Sequence, residues 1–356
     1  MGLACKDTEP LIVDITGISI IWFFVGHAIE SSVLGLELVH EHRNYIPSLG
    51  PIIAVSYYTY RLYLLVNIRK AVLLGFAGIL ILFSFITYQR SVHWSSFETL
   101  ATFQVTWHPK SARSYMEYGA VLQRNSGDIK HIYETYQQAA NLSRGNVLAM
   151  VRLQRIVSGL LAQLEEGSIF PDARVHEQIG LDLFEDPLVI NTDYLKKLDQ
   201  LIYQEINNRL NVFALDAETL IGMMELRTCI RLKFSTCPPL DRVEHWFQLF
   251  LDRDSLLPMQ RTTMLILLAQ VKVHAGESET ALSILRSILP TAKYRTPIWL
   301  EMLGVYRSEK DYESIKNLIA TVERDVVSSG HLVSKFLTAK DILLKEAASY
   351  ELSTKN

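Results

Sequence analysis

Three cysteines in 356 residues exclude a disulfide framework, and thiol-rich metal knuckles with it. Cationic surplus is missing too: 35 Lys and Arg stand against 38 Asp and Glu, so nothing supplies the electrostatic footprint of a nucleic-acid binder. Residues 1–93 hold six of each sign, so the net charge of −3 belongs to the remainder. From residue 93 onwards, glycine-rich phosphate loops, nucleophile motifs and paired-cysteine metal sites are absent. The reading therefore carries no metal and no cofactor. The leader MGLACKDTEP has Asp7 and Glu9 where a signal peptide is basic, and no small-residue cleavage site follows. Lys6 stands where a myristoylation motif takes Ser or Thr.

What the chain does have is a nineteen-residue run free of charge, AVLLGFAGILILFSFITYQ, between Lys70 and Arg90. Roughly 20 apolar residues span a hydrocarbon core as a helix. Cations at both ends, with Tyr88 and Trp94 nearby, are interfacial anchors. Two further apolar stretches precede it, so the pattern predicts spans at about 11–29, 51–68 and 71–89. Asp14 and Arg61 interrupt them. An intramembrane charge marks a functional site by default, and the alternative is a helix-end Asp14 with Arg61 snorkelling to the interface. Arg69 and Lys70 in the connection between the second and third spans outweigh Arg43 in the first connection. The positive-inside rule then places everything after Arg90 outside the cytoplasm.

The connection from His27 to Gly50 is dense in chemistry: Glu30, Glu37, Glu41, His27, His40, His42 and Arg43. His40 and His42 are two apart and would face different sides of a helix, which argues against shared metal ligation. Arg43 beside a membrane has the planar fork that matches phosphate oxygens. A solvated loop closed by a turn at Pro47 is the plain alternative.

From residue 93 onwards strand-like alternation is lacking, and apolar residues recur at helical spacing. Leu265, Leu268, Ala269, Gly276, Ala281, Leu285 and Ile288 match Trp299, Met302, Leu303, Lys310, Ile315, Ile319 and Val322 at an offset of 34. Thirty-four residues is the period of a tetratricopeptide repeat, two helices joined by a turn. Gly276-Glu277 and Lys310-Asp311 fall at the turns. Ala269 and Ala281 are replaced by Leu303 and Ile315, so the second copy packs more loosely or shifts by one towards Gly304. A third window, 111–142, starts from Ser111 as helix cap and turns at Gly127-Asp128. The repeats are thus expected at about 111–142, 262–295 and 296–329, within a helical domain of 93–352 that follows a membrane region of 1–92. Gly167 to Leu188 reads as a long connection, and His245 and His274 as core or surface residues. Cys229 and Cys237 are near enough in sequence to pair in an oxidising compartment, or to remain two thiols.

The stretch Glu41-His42-Arg43-Asn44-Tyr45-Ile46-Pro47-Ser48-Leu49-Gly50 resembles the E-R-x-x-Y-L-P-S-x-G segment of transmembrane-and-tetratricopeptide-repeat proteins. Trp107-His108-Pro109-Lys110-Ser111-Ala112-Arg113 resembles the start of the repeats in the same family. Tyr45, Pro47, Ser48 and Gly50 match in order, while Arg43 falls one place late because His42 intervenes. The resemblance implies an all-α chain: three transmembrane helices, then a tetratricopeptide-like α-solenoid. It also implies a polyprenyl-phosphate sugar as ligand, with Arg43, Glu41, Tyr45 and Arg61 as the candidate lipid-phosphate site. Family enzymes use an acidic residue in an early loop of a larger membrane body. This chain matches only their C-terminal part, and is not expected to catalyse transfer alone. The second reading is a membrane-anchored scaffold in which the bilayer holds the spans and protein partners bind the repeats.

Overall fold

The computed structural model describes residues 9–32, 45–125, 127–172, 181–212, 217–232, 237–253, 256–292, 295–329 and 334–354. Among them every regular element is an α-helix, and the chain separates into Met1–Ser95 and Ser96–Asn356.

The first unit holds α1 (Glu9–Ser32), α2 (Tyr45–Leu65) and α3 (Arg69–His93). α1 and α2 run antiparallel and closely, because small residues stand where the backbones meet. A Cβ on Gly50 would lie 2.4 Å from the Ser19 carbonyl oxygen, and one on Gly26 would lie 2.8 Å from Pro47 Cγ. Further along the pair, the Trp22 indole N–H donates to the Ile46 carbonyl at 2.8 Å, and the Thr16 and Tyr58 hydroxyls bond each other. α3 buries no residue at all, and Leu74 and Ile81 stand about seven-tenths exposed. A 25-residue helix with apolar side chains exposed all round is long enough to cross a bilayer.

Three spans were expected in this unit; among its described residues, α3 meets the length and apolarity of one. α2 carries Arg61 and five tyrosines, which lower its apolar character. The apolar part of α1 runs Ile15–His27, about 20 Å of helix against a hydrocarbon core of about 30 Å. A second helix of sufficient apolarity, Val147–Glu165, lies in the other unit and is mostly buried there, as a core helix is.

The second unit begins with α4 (Phe97–Trp107), α5 (Ala112–Arg124), α6 (Ile129–Leu142) and α7 (Val147–Glu165). It continues with α8 (Thr192–Val212), α9 (Ala217–Leu232), α10 (Leu240–Leu251) and α11 (Pro258–His274). α12 (Ser278–Ile288), α13 (Thr296–Ser308), α14 (Tyr312–Ser329) and α15 (Ser334–Thr354) complete it. Short turns make α5–α6, α11–α12 and α13–α14 antiparallel pairs. Contacts also skip one helix: α7 touches α9, α9 touches α11, α11 touches α13 and α13 touches α15. The odd-numbered helices therefore form one layer, and α8 touching α10 belongs to the other.

The 34-residue offset survives to the level of single hydrogen bonds. The Glu277 N–H bonds the Lys272 carbonyl at 2.8 Å, and the Asp311 N–H bonds the Tyr306 carbonyl at 2.9 Å. These six-to-one bonds close helix ends on a left-handed residue. Gly276 takes that place at φ 81° and Lys310 at φ 57°. Leu303 and Ile315 are fully buried in the unshifted register, while a Cβ at Gly304 would meet open space, so the shift towards Gly304 does not occur.

The connection after α7 is not a free loop where it is described. Gln137 donates to the carbonyls of Leu183 and Asp186, Asn141 to that of Phe184, and the Tyr194 hydroxyl to that of Pro187. Leu183 and Leu188 of the connection are themselves buried. Nearby, Arg209 is buried and donates to the carbonyls of Ala140 and Ser143, which are freed at the end of α6, and to that of Asn146, the N-cap of α7, all at 3.0–3.1 Å. Burial lowers its pKa, and the Glu205 carboxylate at 2.8 Å acts against that. Cys229 and Cys237 are joined as a disulfide, with Cα atoms 5.3 Å apart.

Candidate functional site

Of the four residues expected to form a lipid-phosphate site, Tyr45 and Arg61 are among the described residues. Glu41 and Arg43 lie outside the described residues. Tyr45 is the first residue of α2, and Arg61 stands half-buried sixteen positions further along the same helix. Sixteen helical residues rise about 24 Å, so Tyr45 and Arg61 occupy opposite ends of α2. Pro47 and Gly50, which carried the motif, are buried where α1 and α2 meet.

Polar side chains do converge in the layer of odd-numbered helices. Arg152 on α7 grips Glu225 on α9 with two bonds, Nη2 to Oε1 at 2.7 Å and Nε to Oε2 at 3.3 Å. The same guanidinium donates to the Tyr136 hydroxyl at 3.2 Å, and Arg155 approaches Glu225 at 3.8 Å. Burial works to lower the Arg152 pKa, and the Glu225 carboxylate and the Tyr136 hydroxyl outweigh it, holding the group firmly charged. The Tyr136 hydroxyl is pushed up by burial, against the pull of Arg152.

Two helices further on, Arg227 of α9 donates to Glu301 of α13 at 3.0 Å, and Gln270 of α11 donates to the same carboxylate oxygen at 2.5 Å. Arg307 of α13 then pairs with Glu346 of α15 at 2.5 Å. Arg–Glu pairs thus step along the layer from α7 to α15. Between α9, α11 and α13 they border a cavity of about 320 Å³ lined by Arg227, Gln270, His274, Glu301 and Gly304. Gly304 leaves this wall low, because its missing side chain would have met nothing. Arg227 Nε and Gln270 Oε1 are buried there without a hydrogen-bond partner, one a donor and one an acceptor. Groups of that kind cost free energy until a ligand or water satisfies them. Among the described residues, no cluster of His, Cys, Asp and Glu has the makings of a metal site.

The sequence reading missed this series. Its members sit outside the 34-residue pattern, but Arg152–Glu225 and Arg227–Glu301 are 73 and 74 residues apart. That recurrence was the available signal. His274, read as core or surface, lines the cavity, and His245 lies against the Tyr203 ring at 6.3 Å. No protein-family model matches the chain, and no curated protein is significantly similar to it.

Proposed function

We propose that the protein is a membrane-anchored helical-repeat scaffold, whose odd-helix layer holds an extended segment of a partner protein outside the cytoplasm. On this reading α1, α2 and α3 are three crossings and the second unit is a tetratricopeptide-like α-solenoid. The observation that carries it is the run of contacts through α7, α9, α11, α13 and α15, with polar pairs along it and an open cavity at Gly304. Stacked helical repeats offer an extended surface of this sort. A peptide chain brings one N–H and one C=O per residue, a donor and an acceptor alternately. Arg227 Nε and Gln270 Oε1 are complementary to one such unit. The Cys229–Cys237 disulfide supports an oxidising compartment, and the cations Arg69 and Lys70 at the start of α3 support the same, extracytoplasmic side for the second unit.

The motif from Glu41 to Gly50 favours a second reading, the C-terminal segment of a polyprenyl-phosphate-sugar glycosyltransferase. Because Pro47 and Gly50 serve helix packing, the weight of that reading rests on Glu41 and Arg43. A photo-crosslinking residue at Gly304 in the full chain, in intact cells, tests the first reading. It should trap protein partners, and Arg227→Ala with Glu301→Ala should abolish the product while crosslinking from Glu313 on α14 stays at background. Equal yields from Gly304 and Glu313 would contradict it. If Arg43→Ala instead abolishes protein glycosylation in the native host and leaves the Gly304 crosslinks intact, the second reading gains.

A further inference from the structure

α4 spends its large side chains unusually. Three of its eleven residues are aromatic, Phe97, Phe103 and Trp107, yet its one buried residue is Ala101. Trp107 is 69% exposed, whereas Trp246 and Trp299 of the same unit are in the core. Phe103, half-buried, lies 6.0 Å from the Trp107 ring, so the two rings form one patch on the edge of the helix. Phe97 is exposed as well, with the Arg124 guanidinium over its ring at 5.5 Å. Trp94, just ahead of the helix, is exposed by half. Glu98, Thr99, Thr102 and Thr106 are exposed as well and supply polar neighbours to these rings. Lys110 follows the helix and is exposed too.

Rings that expose an apolar body beside a polar N–H suit the boundary between lipid and water. α4 is tied to that boundary by the chain itself. It begins four residues after α3 ends, and four residues reach about 14 Å at most. The headgroup layer at the end of a spanning helix lies within that reach.

We propose that α4 lies in the lipid headgroup layer, with Trp94, Phe103 and Trp107 among the headgroups and Lys110 facing lipid phosphate. This rests on α3 being a span. The helix then acts as an interfacial foot for the repeats, and the partner it fits is the bilayer surface.

The full chain carrying Cys5→Ser, with its disulfide formed, can be labelled with an environment-sensitive fluorophore at Trp107→Cys. A second labelled variant, Lys110→Cys, leaves Trp107 in place. Leu82→Cys in α3 and Glu313→Cys in α14 serve as references, all in phosphatidylcholine liposomes with spin labels at shallow or deep positions. The inference expects a blue shift and loss of emission at positions 107 and 110 with shallow labels, and at 82 with deep ones. Quenching at 82 with positions 107 and 110 as bright as 313 overturns this inference and leaves the span intact. Absence of quenching at 82 as well overturns the span, and the interfacial helix with it.

Discussion

Gly222 of α9 faces the backbone of Leu148 on α7, where a Cβ would lie 2.9 Å from the Leu148 Cα. Backbone cannot move aside as a flexible side chain can. Gly222→Ala should therefore destabilise the helical unit by about 1–3 kcal/mol, read as a lowered midpoint in chemical denaturation. Gly304→Ala, facing open space in α13, should instead stabilise by up to about 1 kcal/mol through helix propensity. Equal effects from the two would show that α7 and α9 do not meet as described. Titration supplies a second test at this scale. Burial pushes the Tyr194 hydroxyl up to about 12, with Asp186 adding to it, and the hydroxyls of Tyr133 and Tyr136 are raised as well. Groups raised on folding stabilise fully below their ordinary value near 10, and that contribution is lost as pH rises towards the folded value. The melting temperature of the helical unit should therefore fall between pH 10 and 12, less steeply in Tyr194→Phe, which has no proton to lose. A flat profile in the parent protein would contradict the burial.

Among the elements, α9 and α10 are held by the Cys229–Cys237 bridge, which closes a loop of eight residues. Constraining so short a loop in the unfolded chain is worth about 2.5 kcal/mol. Reduction, or Cys229→Ser with Cys237→Ser, should lower the denaturation midpoint of the second unit accordingly, and a reductant should have no further effect on the double variant. Local signals made most elements legible before the structure. Ser111 does accept the Ser114 N–H as a cap, and the turns at Gly276 and Lys310 fall at the residues the 34-residue offset marked. Lys310 shows why such an offset exceeds residue preference: a lysine holds a left-handed position because Tyr306 and Asp311 close the turn around it. The described part of the 167–188 connection was less legible, since its carbonyls are bound by Gln137 and Asn141 more than forty residues away. Nothing local in either segment announces that pairing.

For the whole molecule, hydropathy located α3 and periodicity marked the change to amphipathic helix after it. The candidate site was far less legible. Arg61 and Tyr45 are close in the argument from charge and motif, yet a single continuous helix separates them. Arg227, Gln270 and Glu301 are remote in sequence and meet only because α9, α11 and α13 share a layer. A binding role for that layer depends on which compartment receives it, and the proposal puts it outside the cytoplasm. The most direct measurement is a reporter that gains activity only when its own disulfides form, fused to the C-terminus of the full chain in its native host. The account predicts an active reporter, together with a dark result from a counterpart that fluoresces only in the cytoplasm. An inactive first reporter and a bright second one would place the repeats in the cytoplasm and contradict it.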